Sequence, residues 1–254
     1  MATSMVIDRE VLLRATRGVV YGYLSDPARF AAWWGAGSTI EPRVGGGVLI
    51  RFVNGVEVGG ELLELVPGER VVFTYGFRDP GKKPAWGGSR VLFRLADRPD
   101  GTALALRHEF PDSASRDGHV AGWGYQLAVL AGLVAREQHA ALGDRVDAWF
   151  AAWSSDDPAE RSRLLTPATA DGVKFRDAWA VVSTRDELLA HITAAKRHMP
   201  GVRIERSGEP RHVQGCVLVD WQAKGPDGKA AMRGTNVFEL APDGRIAGGV
   251  GFPA

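Results

Sequence analysis

The most constraining feature of this sequence is a series of short apolar runs set closely along its first half. Five such runs lie between residues 48 and 110, and turn signals rich in Gly, Pro, Asn and Asp separate them. Runs of this length predict β-strands joined by tight turns. The connections are too short for crossover helices, so the pattern predicts an antiparallel meander. The runs are residues 48–52, 61–66, 71–77, 91–95 and 103–110.

Helical patterns flank this meander. Residues 17–34 have a helical pattern that breaks at Asp26-Pro27, where an aspartate cap and a proline at the first position predict a second helix. Residues 118–141 carry one apolar stripe at three- and four-residue spacing. An opening strand is predicted at residues 6–11. The predicted order of the first half is therefore a strand, two short helices, the meander and a long helix.

The second half has a different order, with helices before the sheet. Residues 142–153 are amphipathic, and Asp157-Pro158 with Glu160 is a strong helix start. A short strand and a third helix, residues 183–198, precede the remaining strands. We therefore expect an α+β protein of two domains, residues 1–140 and 141–254, with no Gly/Ser or Pro linker between them.

Composition excludes several classes of protein. The 254 residues are 45% hydrophobic, and 31 basic residues nearly balance 30 acidic ones. Because the basic residues are not clustered, nothing predicts a nucleic-acid surface. The first residues lack a signal peptide's apolar core, and no apolar stretch approaches the length of a membrane span, so a cytoplasmic protein is expected. The single cysteine, Cys216, lies in an apolar run and is predicted to be a buried thiol.

The first half resembles a known family. The matching features are Ala32-Trp33-Trp34, Gly45-Gly46-Gly47, the segments 60–67 and 70–75, and the closing Gly122-Trp123. Together they resemble the START-like (SRPBCC) helix-grip superfamily, in the branch related to the activator of the Hsp90 ATPase. The resemblance implies an antiparallel sheet around a long C-terminal helix, with a cavity between them.

Four residues of this half are candidates for lining that cavity: Trp33, Tyr75, His108 and Trp123. His108 shares a strand face with Leu104, Leu106 and Phe110 by two-residue alternation. A core histidine satisfied by a neighbour is therefore one interpretation, and a polar contact to a ligand is the other.

The second half resembles the SnoaL-like part of the NTF2-like superfamily. The resemblance rests on the helix of Trp149, on Phe175-Arg176-Asp177, on the helix of His191, on Trp221, and on residues 234–246. It implies a cone-shaped α+β barrel wrapped by three helices, with a pocket inside. Sheets of this family often pair, so the resemblance also implies a homodimer. The fold predicts a cavity and leaves the chemistry open.

Asp177 is the sharpest candidate for catalysis. It follows a short strand and comes just before Trp179, so its carboxylate is expected beside an aromatic ring, where burial favours a general base tuned toward neutral pH. In ketosteroid-isomerase-like relatives, the resemblance implies, the proton-abstracting aspartate occupies this place. The alternative is that Asp177 caps a turn or pairs with Arg176 or Arg233.

The rest of that isomerase's machinery is missing. Its oxyanion hole needs a tyrosine on the first helix and a second carboxylic acid in the sheet. This half has no tyrosine, its first helix offers Trp149 and Trp153, and the sheet position is approximately Asn236. His191 would form an acid–base pair with Asp177 if the two meet, although a lone helical histidine is more often packed or solvated. Trp221 and Asn236 lie on predicted strands, where they could equally form a pocket wall or take part in ordinary sheet packing.

Motifs for metal, phosphate and serine-nucleophile chemistry are absent from the sequence, so no cofactor or metal is expected. Three functions stay open. The first is binding of a small hydrophobic or aromatic metabolite in one or both cavities. The second is a cofactor-independent isomerase, cyclase or hydrolase that uses Asp177. The third is a chaperone-associated partner protein, which has the least support because no large exposed apolar motif is seen.

Overall fold

The computed structural model describes residues 5–254. The chain divides into two compact units, unit 1 (Met1–Glu137) and unit 2 (Gln138–Ala254). Both units are α+β, which confirms the predicted fold class. None of the described helices is long and apolar enough to cross a membrane.

Unit 1 is built on a seven-stranded antiparallel sheet of order β1-β7-β6-β5-β4-β3-β2. Strands β2 to β7 follow one another in space as in the chain, which confirms the predicted meander, and β1 pairs with β7 at the far side. Its elements are β1 (Val6–Leu13), α1 (Arg17–Ser25), α2 (Pro27–Trp34), β2 (Thr39–Ile40), β3 (Gly47–Arg51), β4 (Glu57–Val66), β5 (Arg70–Tyr75), β6 (Ser89–Arg98), β7 (Gly101–Glu109) and α3 (Ser113–Gln138).

The helices of unit 1 begin and pack as their sequence predicts. Asp26 accepts a hydrogen bond from the Arg29 amide at 2.9 Å and so caps α2. The stripe of α3 is buried in the core of the unit, where it joins α1, α2 and the sheet. The buried stripe residues are Trp123, Leu127, Leu130 and Val134.

Unit 2 has three helices and a six-stranded sheet of order β10-β11-β12-β13-β8-β9. All neighbours are antiparallel except β13 and β8, which are parallel. Within the described part of the chain this sheet is open, with β10 and β9 at its edges. The elements are α4 (Leu142–Ser154), α5 (Pro158–Ala168), β8 (Thr169–Arg176), β9 (Val181–Val182), α6 (Arg185–His198), β10 (Arg203–Val213), β11 (Cys216–Lys224), β12 (Ala230–Leu240) and β13 (Ile246–Pro253).

The alternation along β11 corrects one prediction. Cys216 is exposed, so its assignment as a buried thiol is wrong. Side chains of a strand alternate between the two faces of the sheet, and in β11 the inward set begins one residue later. That inward set is Val217, Val219, Trp221 and Ala223, all buried.

Candidate functional site

Unit 2 encloses a pocket with predominantly aromatic walls. An inner cavity of about 60 Å³ lies between α4, β8 and the sheet, and a wider cleft of about 460 Å³ adjoins it, because the two spaces share lining residues that include Asp177 and Trp179. The inner cavity has room for only a few waters, so a ring-sized ligand must extend into the cleft. The aromatic wall is formed by Trp149, Trp153, Phe175, Trp179 and Trp221.

Asp177 and His191 meet at the junction of these two spaces. Asp177 follows β8 and His191 lies in the middle of α6, and His191 Nε2 is 2.9 Å from Asp177 Oδ2. Both side chains are largely shielded from solvent, with 7% of Asp177 and 12% of His191 exposed. The ring of Trp153 stands edge-on to the imidazole at a centroid distance of 5.3 Å. Asp177 and His191 are 14 residues apart in the sequence and lie on different elements, and the fold brings them together in one hydrogen bond.

Asp177 also organises the turn that follows β8. Its Oδ1 accepts hydrogen bonds from the amides of Trp179 and Ala180, both at 2.8 Å, and its own amide donates to the Ala180 carbonyl at 3.0 Å. One of the structural roles considered for Asp177, capping a turn, is therefore present together with the contact to His191. Of the two arginines considered as partners, Arg176 and Arg233, neither forms an ion pair with it among the described residues.

Two buried polar groups face the pocket from the sheet. Trp221 Nε1 donates to Asn236 Oδ1 at 3.0 Å, which leaves the amide nitrogen of Asn236 as the group that can donate into the cavity. Gly251, on β13, leaves open the space between Asn236 and Asp177 because it has no side chain. A Cβ at Gly251 would lie 3.0 Å from Phe175 Cζ, 3.1 Å from Asn236 Oδ1 and 3.4 Å from Asp177 Cβ.

Hydrogen bonds of Arg161, Lys196 and Thr184 fix the helix that carries His191. Arg161, a buried residue of α5, donates to Thr193 Oγ1 at 2.7 Å and to the Ser155 carbonyl at 2.9 Å. Lys196 donates to the Val202 carbonyl at 3.0 Å, and Thr184 caps the start of the helix through the Glu187 amide. These contacts give His191 a defined position against the pocket.

The electrostatic character of the pocket is neutral to acidic. No lysine or arginine lines either space in the described part of the chain, and Asp177 is the acidic group that does. Trp153 Nε1 is buried and has no hydrogen-bond partner among the described residues, and the Trp153 side chain lines both spaces. The arrangement therefore suits an uncharged, planar molecule that carries a hydrogen-bond acceptor.

Unit 1 has a groove of about 360 Å³ against α3. Tyr75 and Trp123 line it, together with Trp34 and His119. Burial raises the pKa of the Tyr75 hydroxyl and lowers that of the His119 imidazole. Trp33 lies outside the groove lining, is buried in the core, and donates from Nε1 to the Tyr23 carbonyl at 2.8 Å.

His108 lies in the core of unit 1, and both of its ring nitrogens are hydrogen-bonded. Trp123 Nε1 donates to His108 Nδ1 at 2.9 Å, and Ser89 Oγ lies 2.8 Å from Nε2 while donating to the Tyr75 carbonyl. Nδ1 must accept, so the hydrogen is on Nε2. Burial, with a smaller effect of His119, lowers the pKa of His108 to about 3, and the imidazole is neutral.

The candidates of unit 2 converge on one site, and further lining residues complete it. Trp149, Trp179, Trp221 and Asn236 all line the inner cavity with Asp177. Among the lining residues that the sequence did not single out as candidates are Trp153, Met199, Met232 and Gly251. Only Trp153 had a usable signal, because it follows Trp149 by one helical turn. In the described part of the chain, no cluster of three His, Cys, Asp or Glu side chains could hold a metal ion.

Comparison with known families agrees with this architecture. Residues 14–135 match the model of the family described as activator of Hsp90 ATPase homolog 1-like protein, and residues 146–248 match that of the SnoaL-like domain. Each match falls within one of the two units. Both resemblances drawn from the sequence are thereby confirmed. A search of curated proteins found no match.

Solved structures match one half of the chain at a time. A SnoaL-like family protein from Agrobacterium tumefaciens is 29% identical with a TM-score of 0.43, and the match covers 46% of this chain and 98% of that one. An AHSA1-like protein from Rhizobium etli is 29% identical with a TM-score of 0.41, over 53% of this chain and 87% of that one. A protein from Chromobacterium violaceum is 31% identical with a TM-score of 0.44, over 51% and 96%.

Proposed function

We propose that this chain, which joins an AHSA1-like domain to a SnoaL-like domain, binds a small, uncharged aromatic or polycyclic metabolite in the pocket of unit 2. The observation that carries the proposal is the composition of that pocket. Its walls are aromatic, its polar groups are few and converge from several elements, and no lysine or arginine lines it among the described residues. Sites for small molecules typically combine apolar walls with a few placed polar groups.

The size of the two spaces supports a ligand of more than one ring. The cleft of about 460 Å³ is within the range usual for small-molecule sites, whereas the inner cavity of about 60 Å³ holds only one end of such a molecule. We expect a ring of the ligand between Trp179 and Trp153, with its acceptor near the nitrogens of Trp153 and Asn236. An anionic group would face the Asp177 carboxylate without any compensating cation, so anions should be disfavoured.

Two probes with the same ring system test this charge preference. 2-Naphthol is neutral and 2-naphthoate is anionic at pH 7, and isothermal titration calorimetry measures the affinity of each for the full chain. We expect saturable binding of 2-naphthol with one site per chain, and affinity at least 10-fold lower for 2-naphthoate. Equal affinities, or tighter binding of the anion, would contradict the proposal.

A matched pair of exposed tryptophans then tests the location. Trp179 is at the pocket mouth with 66% of its surface exposed, and Trp86 of unit 1 is 43% exposed and lines neither space. An aromatic contact contributes about 0.5–1.5 kcal/mol, so Trp179→Ala should weaken 2-naphthol binding about 2- to 12-fold. Trp86→Ala should leave the affinity unchanged. If both variants bind like the wild type, the assigned pocket is wrong.

Cofactor-independent proton transfer is a second candidate, favoured by one observation. Asp177 and His191 are hydrogen-bonded at 2.9 Å and both line the cleft, as an acid–base pair that acts on a bound ligand would require. Under this candidate the reaction is an isomerisation, cyclisation or hydrolysis of the molecule that the pocket binds. It predicts that variants of the pair lose turnover while they keep their affinity for 2-naphthol.

A further inference from the structure

The hydrogen bonds around Asp177 and His191 are unequal, and the inequality gives the two residues different roles. We infer that the proton acceptor of this site is His191 Nδ1, and that Asp177 is a positioning residue that holds His191 in the tautomer with hydrogen on Nε2. The inference rests on the second candidate of the proposed function, proton transfer in the pocket of unit 2.

The Asp177 carboxylate is largely occupied. An ionised carboxylate offers about four lone-pair sites. Oδ1 accepts from the amides of Trp179 and Ala180, and Oδ2 accepts from His191. Three of the four sites are thus in use, and two of them hold the turn after β8. A proton taken up by Asp177 would weaken all three contacts at once.

His191, in contrast, has a whole lone pair available. Its Nε2 faces a carboxylate, which can only accept, so Nε2 carries the hydrogen and the neutral ring has its free lone pair on Nδ1. Nδ1 forms no hydrogen bond with any described residue, and the side chain lines the cleft. The oriented pair is the general arrangement in which a base is held by a third group.

The proton transfer that follows needs no co-reactant. A C–H bond of the ligand next to an electron-withdrawing group breaks, its proton goes to Nδ1, and its electron pair stays on the ligand. The resulting imidazolium keeps Nε2–H on the Asp177 carboxylate, whose negative charge stabilises it. Return of the proton from Nδ1 to another atom of the ligand completes an isomerisation and restores the neutral ring. His198, which lines the same cleft, forms no hydrogen bond or ion pair with Asp177 among the described residues.

The tautomer of His191 is the direct test. Nitrogen-15 NMR of the full chain labelled at histidine distinguishes a ring nitrogen that carries hydrogen from one that does not, and the spectrum of His191→Gln identifies the signals that belong to His191. We expect hydrogen on Nε2 and none on Nδ1 in the wild type at pH 8. Hydrogen on Nδ1 would overturn the inference, and this measurement depends on no variant other than the one used for assignment.

Asp177→Asn should reverse that tautomer. Two amides donate to the position of Oδ1, so the oxygen of the asparagine must take that place and its NH₂ group must face His191. Nε2 would then accept, and the hydrogen would move to Nδ1. The matched control is Asp227→Asn, because Asp227 also accepts from a backbone amide two residues later, at 3.0 Å from Lys229, and does not line the pocket. The control should keep the wild-type tautomer; an unchanged tautomer in Asp177→Asn would refute the positioning role.

5-Nitrobenzisoxazole reports proton transfer itself. This neutral bicyclic compound loses its C3 proton to a base, its N–O bond breaks, and the coloured 2-cyano-4-nitrophenolate forms. We expect the wild type to accelerate this reaction, and both His191→Gln and Asp177→Asn to lose at least 10-fold in kcat with little change in KM. A His191→Gln variant as fast as the wild type would overturn the inference. Affinity for 2-naphthol is measured separately, so failure of binding contradicts the proposed function, whereas failure of the tautomer or rate tests with intact binding contradicts only this assignment.

Discussion

His108 should make unit 1 less stable as the pH falls below about 6.5. In the folded unit its pKa is about 3, because it is buried and, to a smaller extent, because His119 is near, whereas in the unfolded chain the pKa returns to the ordinary value of about 6.5. Between these values the unfolded chain binds a proton that the folded unit does not, so the free energy of unfolding decreases as the pH decreases. The lost stability is fully regained above pH 6.5.

The magnitude follows from the pKa difference. Each pH unit below 6.5 costs about 1.4 kcal/mol, which gives about 2 kcal/mol between pH 7 and pH 5. Replacement of His108 by glutamine keeps one donor and one acceptor near Ser89 and Trp123 but removes the titration. The pH-dependent loss of stability in His108→Gln should therefore be smaller than in the wild type by about 2 kcal/mol over this interval, whatever the variant's stability at pH 7.

The assay must report on unit 1 alone, because each unit contains four of the eight tryptophans. Guanidinium titrations at pH 7 and pH 5, followed by the NMR signal of the Trp123 indole N–H, meet this condition. His198→Gln, which alters an exposed histidine of unit 2, is the control and should keep the wild-type pH dependence. If His108→Gln loses as much stability as the wild type between pH 7 and pH 5, the buried neutral histidine does not explain the acid sensitivity.

Three further changes have defined outcomes in unit 2. Trp149→Ala removes a fully buried ring that contacts Phe175 and Phe238, and should lower the free energy of unfolding by about 3–5 kcal/mol in denaturant titrations. Gly251→Ala should narrow the inner cavity and weaken 2-naphthol binding at least about 3-fold in calorimetry. The control Gly172→Ala, whose added Cβ has nothing within 4 Å, should leave the affinity unchanged. Equal affinities of the two variants for 2-naphthol would show that the ligand does not use the inner cavity. Thr184→Ala removes the cap of α6 and should cost about 1 kcal/mol by the same titrations, and no loss would mean that the hydrogen bond to the Glu187 amide contributes little.

Most of the fold could be predicted from local signals. The meander follows from strand length and turn spacing, and the caps at Asp26 and Asp157 mark two helix starts that the structure contains. The two-residue strands β2 and β9 were not predicted, because two residues give no periodicity to detect. Cys216 was misplaced because an apolar run does not reveal which of its residues begins the inward set.

The candidate site was predictable in its members and less so in its roles. Asp177, His191 and Asn236 stood out by residue type, and the resemblance to SnoaL-like domains suggested that they share a pocket. The different roles of Asp177 and His191 depend on the turn whose amides bond Asp177 Oδ1 and on the placement of α6, which brings His191 Nε2 to Asp177 Oδ2. The role of Gly251 cannot be predicted from sequence, since it depends on the absence of a side chain beside Phe175.

The most direct test of the account is to locate bound 2-naphthol by the indole N–H signals of the chain labelled with nitrogen-15 at tryptophan. We predict saturable shifts in the signals of unit 2, largest at Trp153, whose buried Nε1 has no partner among the described residues, and unchanged signals in unit 1. The unit 2 signals are those of Trp149, Trp153, Trp179 and Trp221. Shifts confined to unit 1, or no saturable shift at all, would contradict the claim that the SnoaL-like pocket is the ligand site.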